Sequence, residues 1–402
     1  MAGPRVTLPL TGLVVVTIEQ AVAAPLATRH LADLGARVIK IERPGRGDFA
    51  RDYDTTVHGL SSHFVWLNRS KESVALDLKR PGSRSAVERL LDRADVFVQN
   101  LAPGAAERLG LGSETVRATR PRLVTCDVSG FGAEGPHADR KAYDLLVQAE
   151  AGLLSVTGTP QHPAKAGIPV ADIAAGTYAF SGILAALYER ERTGTGRAVR
   201  VSLFDSLAEW MGFPFYYGAY GGQAPVRNGA AHAAIAPYGP VRTGDGEQVV
   251  LAVQNDREWA RFCAVVLEDP ALATDPRFAT NSRRVQHRTE LQERIDQRLG
   301  RLPAGTVEDL LDRASVAHAR IADVTALGDH PVLTARHRLR EVASPAGPLR
   351  ALEPPLTGPD RPAAMGPVPE VGEHSVAVLR WAGLDEPEVA AALGPAAPRP
   401  AP

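Results

Sequence analysis

The chain has 402 residues, 44% of them apolar and 23% charged, which is the composition of a soluble globular protein long enough for two cores. Forty-five Lys and Arg against 46 Asp and Glu leave a net charge of −1, which removes the electrostatic case for a nucleic-acid or anionic-membrane partner. Cys126 and Cys263 fit no disulfide, metal or redox spacing and are expected to be reduced and buried; the histidines contain no metal-ligand pattern. No apolar run approaches the length of a membrane span, and the first nine residues hold no signal-peptide core, so a soluble, cytoplasmic protein is expected.

The β-branched run at residues 13–18 predicts a strand buried on both faces. A helix over 21–34 stops at Gly35, and a second buried strand follows at 38–41. The alternation continues with strand 74–78, helix 83–94, strand 96–99, helix 105–109 and strand 123–128. This spacing predicts an α/β fold whose large domain is a doubly wound, Rossmann-like parallel sheet. Ligands of such sheets lie beyond the carboxyl ends of the strands, so candidate site residues fall at 19–24, 42–47, 77–79, 100–104 and 129–135. A nicotinamide enzyme is disfavoured because residues 19–24 read EQAVAA, with no Gly-rich phosphate fingerprint. A serine hydrolase is disfavoured because Ser129 has Asp127 where a nucleophile elbow needs glycine.

The stretch from 167 to 200 carries the most distinctive chemistry. Asp172 has the form of a helix N-cap, and the helix behind it is small or apolar on nearly every side, which predicts burial. The positive end of that helix is expected to keep the carboxylate ionised at neutral pH. Asp172 is then either a cap and nothing more, or a nucleophile that needs no base. A strand at 198–203 and a helix from 204 to 210 end the large domain, residues 1–210. Residues 211–229, rich in Gly, Tyr, Phe and Pro, are expected to form an extended crossover within a linker that spans 211–236. A smaller α+β domain at 237–329 opens with a hairpin, strands 239–242 and 248–253 about Thr243, Gly244, Asp245 and Gly246, and continues with helices 256–267, 288–299 and 306–314. The remainder, 330–402, has an extended Pro/Gly-rich part at 343–369, a helix at 373–382 and a disordered end after Gly394.

Seven motifs in order resemble those of the class III CoA-transferases, a family that also contains the α-methylacyl-CoA racemases. They are LGARVIKIERPGRG at 34–47, NRSKESVALDLKRPG at 68–82, QNLAPGAAERLGLG at 99–112, SGFGAEGP at 129–136, VADIAAG at 170–176 with GILAALYERERTGTGR behind it, DPRFATNSRRVQHRTEL at 275–291 and GEHSVAVLRWAGL at 372–384. The resemblance implies that residues 330–402 return to complete the large domain. It places the catalytic nucleophile on Asp172, and coenzyme A contacts on Val22, Arg43, Leu76, Asp77, Leu78, Lys79, Asn100, Leu101, Ala102, Arg108, Lys141, Ala142, Tyr143 and Asp144. Among these, Arg43, Lys79, Arg108 and Lys141 can meet phosphate charge. Glycine loops at 130–135 and 218–222 are candidate oxyanion donors.

The implied reaction moves CoA from an acyl-CoA, succinyl-CoA by the resemblance, to a small carboxylic acid through an aspartyl anhydride and an aspartyl-CoA thioester. No permanently bound cofactor is implied, the CoA thioester being the substrate, and the implied assembly is an interlocked homodimer with no nucleic-acid or membrane partner. Tyr143 stands where the racemase branch carries its histidine, and a phenol does not supply a base titrating near neutral pH. The run RNGAAHAAIAPYG at 227–239 is similar to branches that handle C4 and C5 dicarboxylates, which disfavours formate and oxalate. Arg227 and His232 are candidates to meet a second carboxylate, with a structural role at the domain junction as the alternative. Two other functions remain open at this point: 2-methylacyl-CoA epimerisation, and CoA binding without turnover.

Overall fold

The computed structural model describes residues 7–358 and 360–394, so the end expected to be disordered lies outside the described residues. The chain divides into two compact units. One is built from residues up to 151, from 167–211 and from 331 onward; the other contains 152–166 and 212–330.

In the first unit, β1 (Val14–Ile18), β2 (Arg37–Glu42), β3 (Lys71–Ala75), β4 (Val96–Gln99), β5 (Val124–Ser129) and β6 (Ala198–Ser202) form one parallel sheet ordered β3-β2-β1-β4-β5-β6. Alternate residues serve opposite faces, as the period of a strand requires. Val15, Val38, Val98 and Cys126 join one buried cluster, and Val16, Ile39, Val74 and Phe97 join another. Both faces are therefore covered, which explains the nearly continuous apolar strands. The chain leaves β1 toward β2 and β3 and then returns to β4 on the opposite side. This puts the topological switch point, the usual ligand crevice of such sheets, between the carboxyl ends of β1 and β4.

One face is dominated by the central helix, Val170–Thr193, which ends at a left-handed Gly194. Its small residues allow close packing: a Cβ on Gly176 would lie 2.6 Å from the carbonyl oxygen of Ala23, at the start of the first helix, Ala23–Asp33. By length and composition this 24-residue helix could cross a membrane, contrary to the expectation that no apolar run reaches span length; half of its most apolar window is buried. The chain after 331 does return to this unit. It lies along the free edge of β3, where Ala75 N donates to Ser375 Oγ (3.0 Å) and His374 N to Ser73 O (3.0 Å), and it meets the helix Pro81–Leu91, where Ser83 Oγ donates to Ala392 O (2.7 Å).

The second unit holds a three-stranded antiparallel sheet of Tyr238–Arg242, Gln248–Ala252 and Ala317–Arg320, with helices at Asp256–Arg261, Arg288–Leu299 and Ala304–Ala314. Its separate core includes Trp259, Phe262, Phe278 and Ile295. Two expectations are corrected here. The crossover is not wholly extended, because Gly212–Gly221 is helical, and the Pro/Gly-rich part of the tail contributes a strand, Leu349–Leu352, paired antiparallel with Leu339–Val342.

Candidate active site

The loops after β1 and β4 are tied across the switch point. Gln20 N donates to Asn100 Oδ1 (2.9 Å) and Asn100 Nδ2 to Gln20 O (2.8 Å), so Asn100 fixes the path of the β1 loop. The next residue, Ala21, has φ 64°, a left-handed conformation that costs an L-residue roughly 1 kcal/mol or more. Its N–H is held by Asp48 Oδ1 at 3.1 Å. Val22 follows and is buried with Leu26 and Leu67, with Ile173 packed against them. The β1 loop thus abuts the first turn of the central helix, beside Asp172.

Asp172 is not the N-cap of that helix. Val170 is the first helical residue, which makes Asp172 the third, and the capping carboxylate comes from Asp144. Asp144 Oδ1 accepts from Ala171 N (2.8 Å) and Asp172 N (3.3 Å), Gln148 Nε2 donates to Asp144 Oδ2 (2.6 Å), and Ile173 N donates to Pro169 O (2.9 Å). The first-turn N–H groups that would have stabilised an ionised Asp172 are therefore already occupied. The Asp172 carboxylate accepts no hydrogen bond from a described residue. Burial first, and the Asp144 charge second, push it up to about 7. Relative to the ordinary 3.8 this corresponds to about 4 kcal/mol at about 1.4 kcal/mol per pH unit, whereas a helix terminus contributes about 0.3–1 kcal/mol. Desolvation wins, and the expectation of full ionisation at neutral pH is overturned. Burial and the neighbouring Asp144 thus bring this carboxyl toward neutrality, well above the usual carboxylate range.

Two rings stand near it. Tyr53 has its phenol pushed up to about 12 by burial and by the charges of Asp48, Asp172 and Tyr143, which places all four groups in one electrostatic neighbourhood. Tyr53 also meets His63 edge-on, with ring centroids 5.3 Å apart. Tyr143 is 63% exposed at the start of the helix Asp144–Glu150.

Below the β1 loop lies a group of buried charges. Lys40 Nζ donates to Asp48 Oδ2 (2.7 Å) and Asn68 Oδ1 (3.0 Å); Lys71 Nζ donates to Glu19 Oε1 (2.6 Å), Asn68 Oδ1 (3.1 Å) and Pro25 O (3.0 Å). Glu19 Oε2 also accepts from Thr17 and Thr28. Burial pulls Lys40 down, but Asp48, Glu19 and Glu42 outweigh it and hold it protonated. Burial works against Glu42 too, yet the Arg51 hydrogen bond and the Lys40 charge bring its carboxyl to about 2. Lys71 is drawn down to about 8, chiefly by burial. Sequence reasoning passed over Lys40, Asp48 and Tyr53. The available signal was Lys40 itself, a charge inside the apolar run of β2, where an amine is tolerated only with buried partners.

The residues assigned to CoA by resemblance all belong to the first unit and follow the strands in turn. Val22 follows β1 and Arg43 follows β2, where Arg43 is exposed. Leu76, Asp77, Leu78 and Lys79 follow β3: Leu76 is buried and donates to Glu42 O, Asp77 Oδ1 accepts from Lys79 N (3.1 Å), and Lys79 is exposed. Asn100, Leu101 and Ala102 follow β4, and Leu101 N is held by the Gln99 side chain (2.8 Å). Arg108 is exposed on the short helix Ala105–Arg108, while Lys141, Ala142, Tyr143 and Asp144 precede the central helix. Asp144 has a definite structural role as a cap, which its assignment to CoA did not foresee. Arg227 and His232 belong to the second unit. There Arg227 donates to Thr159 O (2.9 Å) and Pro160 O (2.9 Å), and His232 stacks on Tyr238 with Nδ1 accepting from Ala234 N (3.1 Å).

Known proteins carry the same architecture. The chain is similar to an acetyl-CoA:oxalate CoA-transferase of Acetobacter aceti, 35% identical over 92% of this chain and 95% of that one. It is also similar to a succinate–glutarate CoA-transferase of Agrobacterium fabrum, 34% identical over 92% of this chain and 95% of the other. Among solved structures, a CaiB/BaiF family protein from Brucella suis superposes with a TM-score of 0.81 at 32% identity, covering 94% of this chain and all of that one. The family description CoA-transferase family III matches residues 10–375. A six-stranded sheet with its switch point at β1 and β4, a half-buried central helix bearing Asp172 and this extent of likeness lead to one conclusion: the chain belongs to CoA-transferase family III and is a CoA-transferase.

Proposed function

We propose that the protein transfers coenzyme A from succinyl-CoA to a small dicarboxylic acid, with Asp172 as the covalent nucleophile. The observation that carries this reading is the Asp172 carboxylate itself, unbonded by any described residue, partly buried and poised near 7 beside the switch point. An aspartate held for structure alone would be expected to accept hydrogen bonds, as Asp144 and Asp48 do. The acyl donor and acceptor are read from relatives named for succinate, glutarate, mesaconate and citramalate, together with the 227–239 stretch. A relative named for acetyl-CoA and oxalate keeps those two compounds as rivals in any substrate screen.

The chemistry balances in four steps. The Asp172 carboxylate attacks the thioester carbonyl, a C–O bond forms as the C–S bond breaks, and the products are an acyl-aspartyl anhydride and CoA thiolate. The thiolate attacks the aspartyl carbonyl, giving aspartyl-CoA and the free carboxylate of the donor. The acceptor carboxylate then attacks the aspartyl carbonyl of aspartyl-CoA, expelling CoA thiolate and forming an acceptor-aspartyl anhydride, and the thiolate attacks the acceptor carbonyl of that anhydride, giving the new acyl-CoA and releasing the Asp172 carboxylate. Exchange between activated acyl groups keeps each step near thermoneutral. Arg43, Lys79, Arg108 and Lys141 are read as phosphate contacts, because exposed cations after successive strands suit the anionic end of CoA. Racemisation is the weaker reading, since a tyrosine, Tyr143, stands where the racemase branch carries its histidine.

The catalytic form is read as an interlocked homodimer located in the cytoplasm. Apolar rings that each unit leaves exposed support the dimer: Tyr178 and Tyr188 on the central helix, and Phe215, Tyr216 and Tyr220 on Gly212–Gly221. The test is mass spectrometry of the protein mixed with succinyl-CoA or acetyl-CoA and a panel of mono- and dicarboxylates, with hydroxylamine added to intercept the thioester. Turnover with a dicarboxylate and a hydroxamate on Asp172 are expected. Full turnover with Asp172 unlabelled, or turnover retained in Asp172→Ala, sinks the reading.

A further inference from the structure

Buried charge is expensive, and the Lys40–Asp48 pair lies in the interior with both side chains fully buried. Replacing such a pair by apolar groups is often neutral for stability, so stability alone accounts poorly for it. What Asp48 holds gives a better account. Its Oδ1 accepts from Ala21 N (3.1 Å) and from Ala50 N (2.9 Å), so one oxygen fixes the left-handed residue of the β1 loop and caps the 3-10 turn Phe49–Asp52. Both features lead straight to the nucleophile. Ala21 precedes Val22, which shares a cluster with Ile173, the neighbour of Asp172; the capped turn delivers Tyr53, whose phenol feels the Asp172 charge. Asp48 Oδ2 is satisfied by Lys40, and Asp48 N donates to Glu42 Oε1 (2.9 Å), an oxygen also held by Arg51, while Ser73 holds Glu42 Oε2. The carboxylate is therefore immobilised from three sides.

We infer that Asp48 is a positioning residue for acyl transfer: its Oδ1 locks the Ala21–Val22 loop and the Tyr53 turn together as two walls beside Asp172. The inference rests on the reading of Asp172 as nucleophile. Lys40 then serves to satisfy and orient Oδ2. A wall displaced by about 1 Å costs on the order of a hundredfold in a reaction that depends on near-attack geometry.

The experiment compares two charge-balanced double variants, so that neither leaves a buried charge alone. Lys40→Met with Asp48→Asn keeps an oxygen able to accept from Ala21 and Ala50; Lys40→Met with Asp48→Leu does not. The rate of hydroxamate formation on Asp172 in a single turnover with succinyl-CoA is measured per folded molecule, the folded fraction being taken from urea melts, and kcat and KM are measured beside it. The asparagine variant is expected within about fivefold of the unmodified protein. The leucine variant is expected to lose at least tenfold in labelling rate and kcat, with KM for the acyl-CoA within about threefold. Equal rates in the two variants overturn the inference. If the leucine variant does not fold, the asparagine variant decides alone, and a loss of more than tenfold overturns it. An unmodified protein that turns over without labelling Asp172 refutes the nucleophile reading itself and takes this inference with it.

Discussion

Replacing Asp172 with Asn is expected to stabilise the protein, by an amount that grows with pH. In the folded chain burial and Asp144 hold the carboxyl at about 7, against the ordinary 3.8, so the folded state binds its proton more tightly than the unfolded state. Below about pH 4 both states are protonated and the group contributes nothing. As pH rises from there the unfolded state gains by ionising while the folded state does not, and stability falls until the folded carboxyl also ionises, near 7. The full difference is about 4 kcal/mol; allowing for the solvent access that Asp172 retains reduces it to about 2–4 kcal/mol at pH 8. Asparagine has nearly the same shape and never ionises. Urea melts of both proteins at pH 5, 6, 7 and 8 should therefore show Asp172→Asn ahead by a margin that widens by about 1–3 kcal/mol across the series and levels off above 7. A margin independent of pH refutes the reasoning, as does an asparagine variant that is the less stable at pH 8, which is the result expected of a residue drawing stability from the helix terminus.

Asp144→Asn keeps an oxygen to cap the central helix but removes the like charge beside Asp172. The acid limb of the kcat/KM profile, which under the proposed mechanism reports free Asp172, should move to lower pH by about 0.5–1.5 units, less than burial alone contributes; an unmoved limb would show that Asp144 does not bias Asp172. For the assembly, native mass spectrometry should give twice the 42.7 kDa chain, and labelled and unlabelled dimers should fail to exchange subunits without denaturant; a monomer, or rapid exchange, rules out interlocking.

The β-branched strands and the strand–helix alternation were legible because buried parallel strands declare themselves locally. β4 coincides with its expectation, and so does Arg288–Leu299, whose apolar positions recur at helical spacing. Misses arose where partners distant in sequence decide. Asp172 looks like a cap in its own window, but the capping oxygen comes from Asp144, 28 residues earlier. The helix Ser62–Asn68 was missed, being short and carrying an Asn end that serves Lys40 and Lys71 rather than the helix. Glu386–Leu393 was missed despite a full capping box at Asp385 and Glu388, a signal that was present and overlooked. Gly212–Gly221 is helical against its glycine content, and the pairing of Leu349–Leu352 depends on a strand some ten residues away. At the site, the ring of loops was legible from topology; the pairing of Asp48 with Lys40, Ala21 and Ala50 was not, because no local pattern encodes which buried charge meets which backbone.

The strip of chain laid along β3 carries a consequence for how the protein is made. Ser73 and Ala75 meet partners at His374 and Ser375, about three hundred residues later, so a ribosome releases this sheet with one flank uncovered. Until the last part of the chain emerges, β3 offers open backbone groups to any neighbouring strand, the exposure that turns nascent sheets into aggregates. Truncation near residue 360 would thus remove no residue assigned to the chemistry and still be expected to yield a sticky product. Biogenesis of this enzyme is governed from its far end.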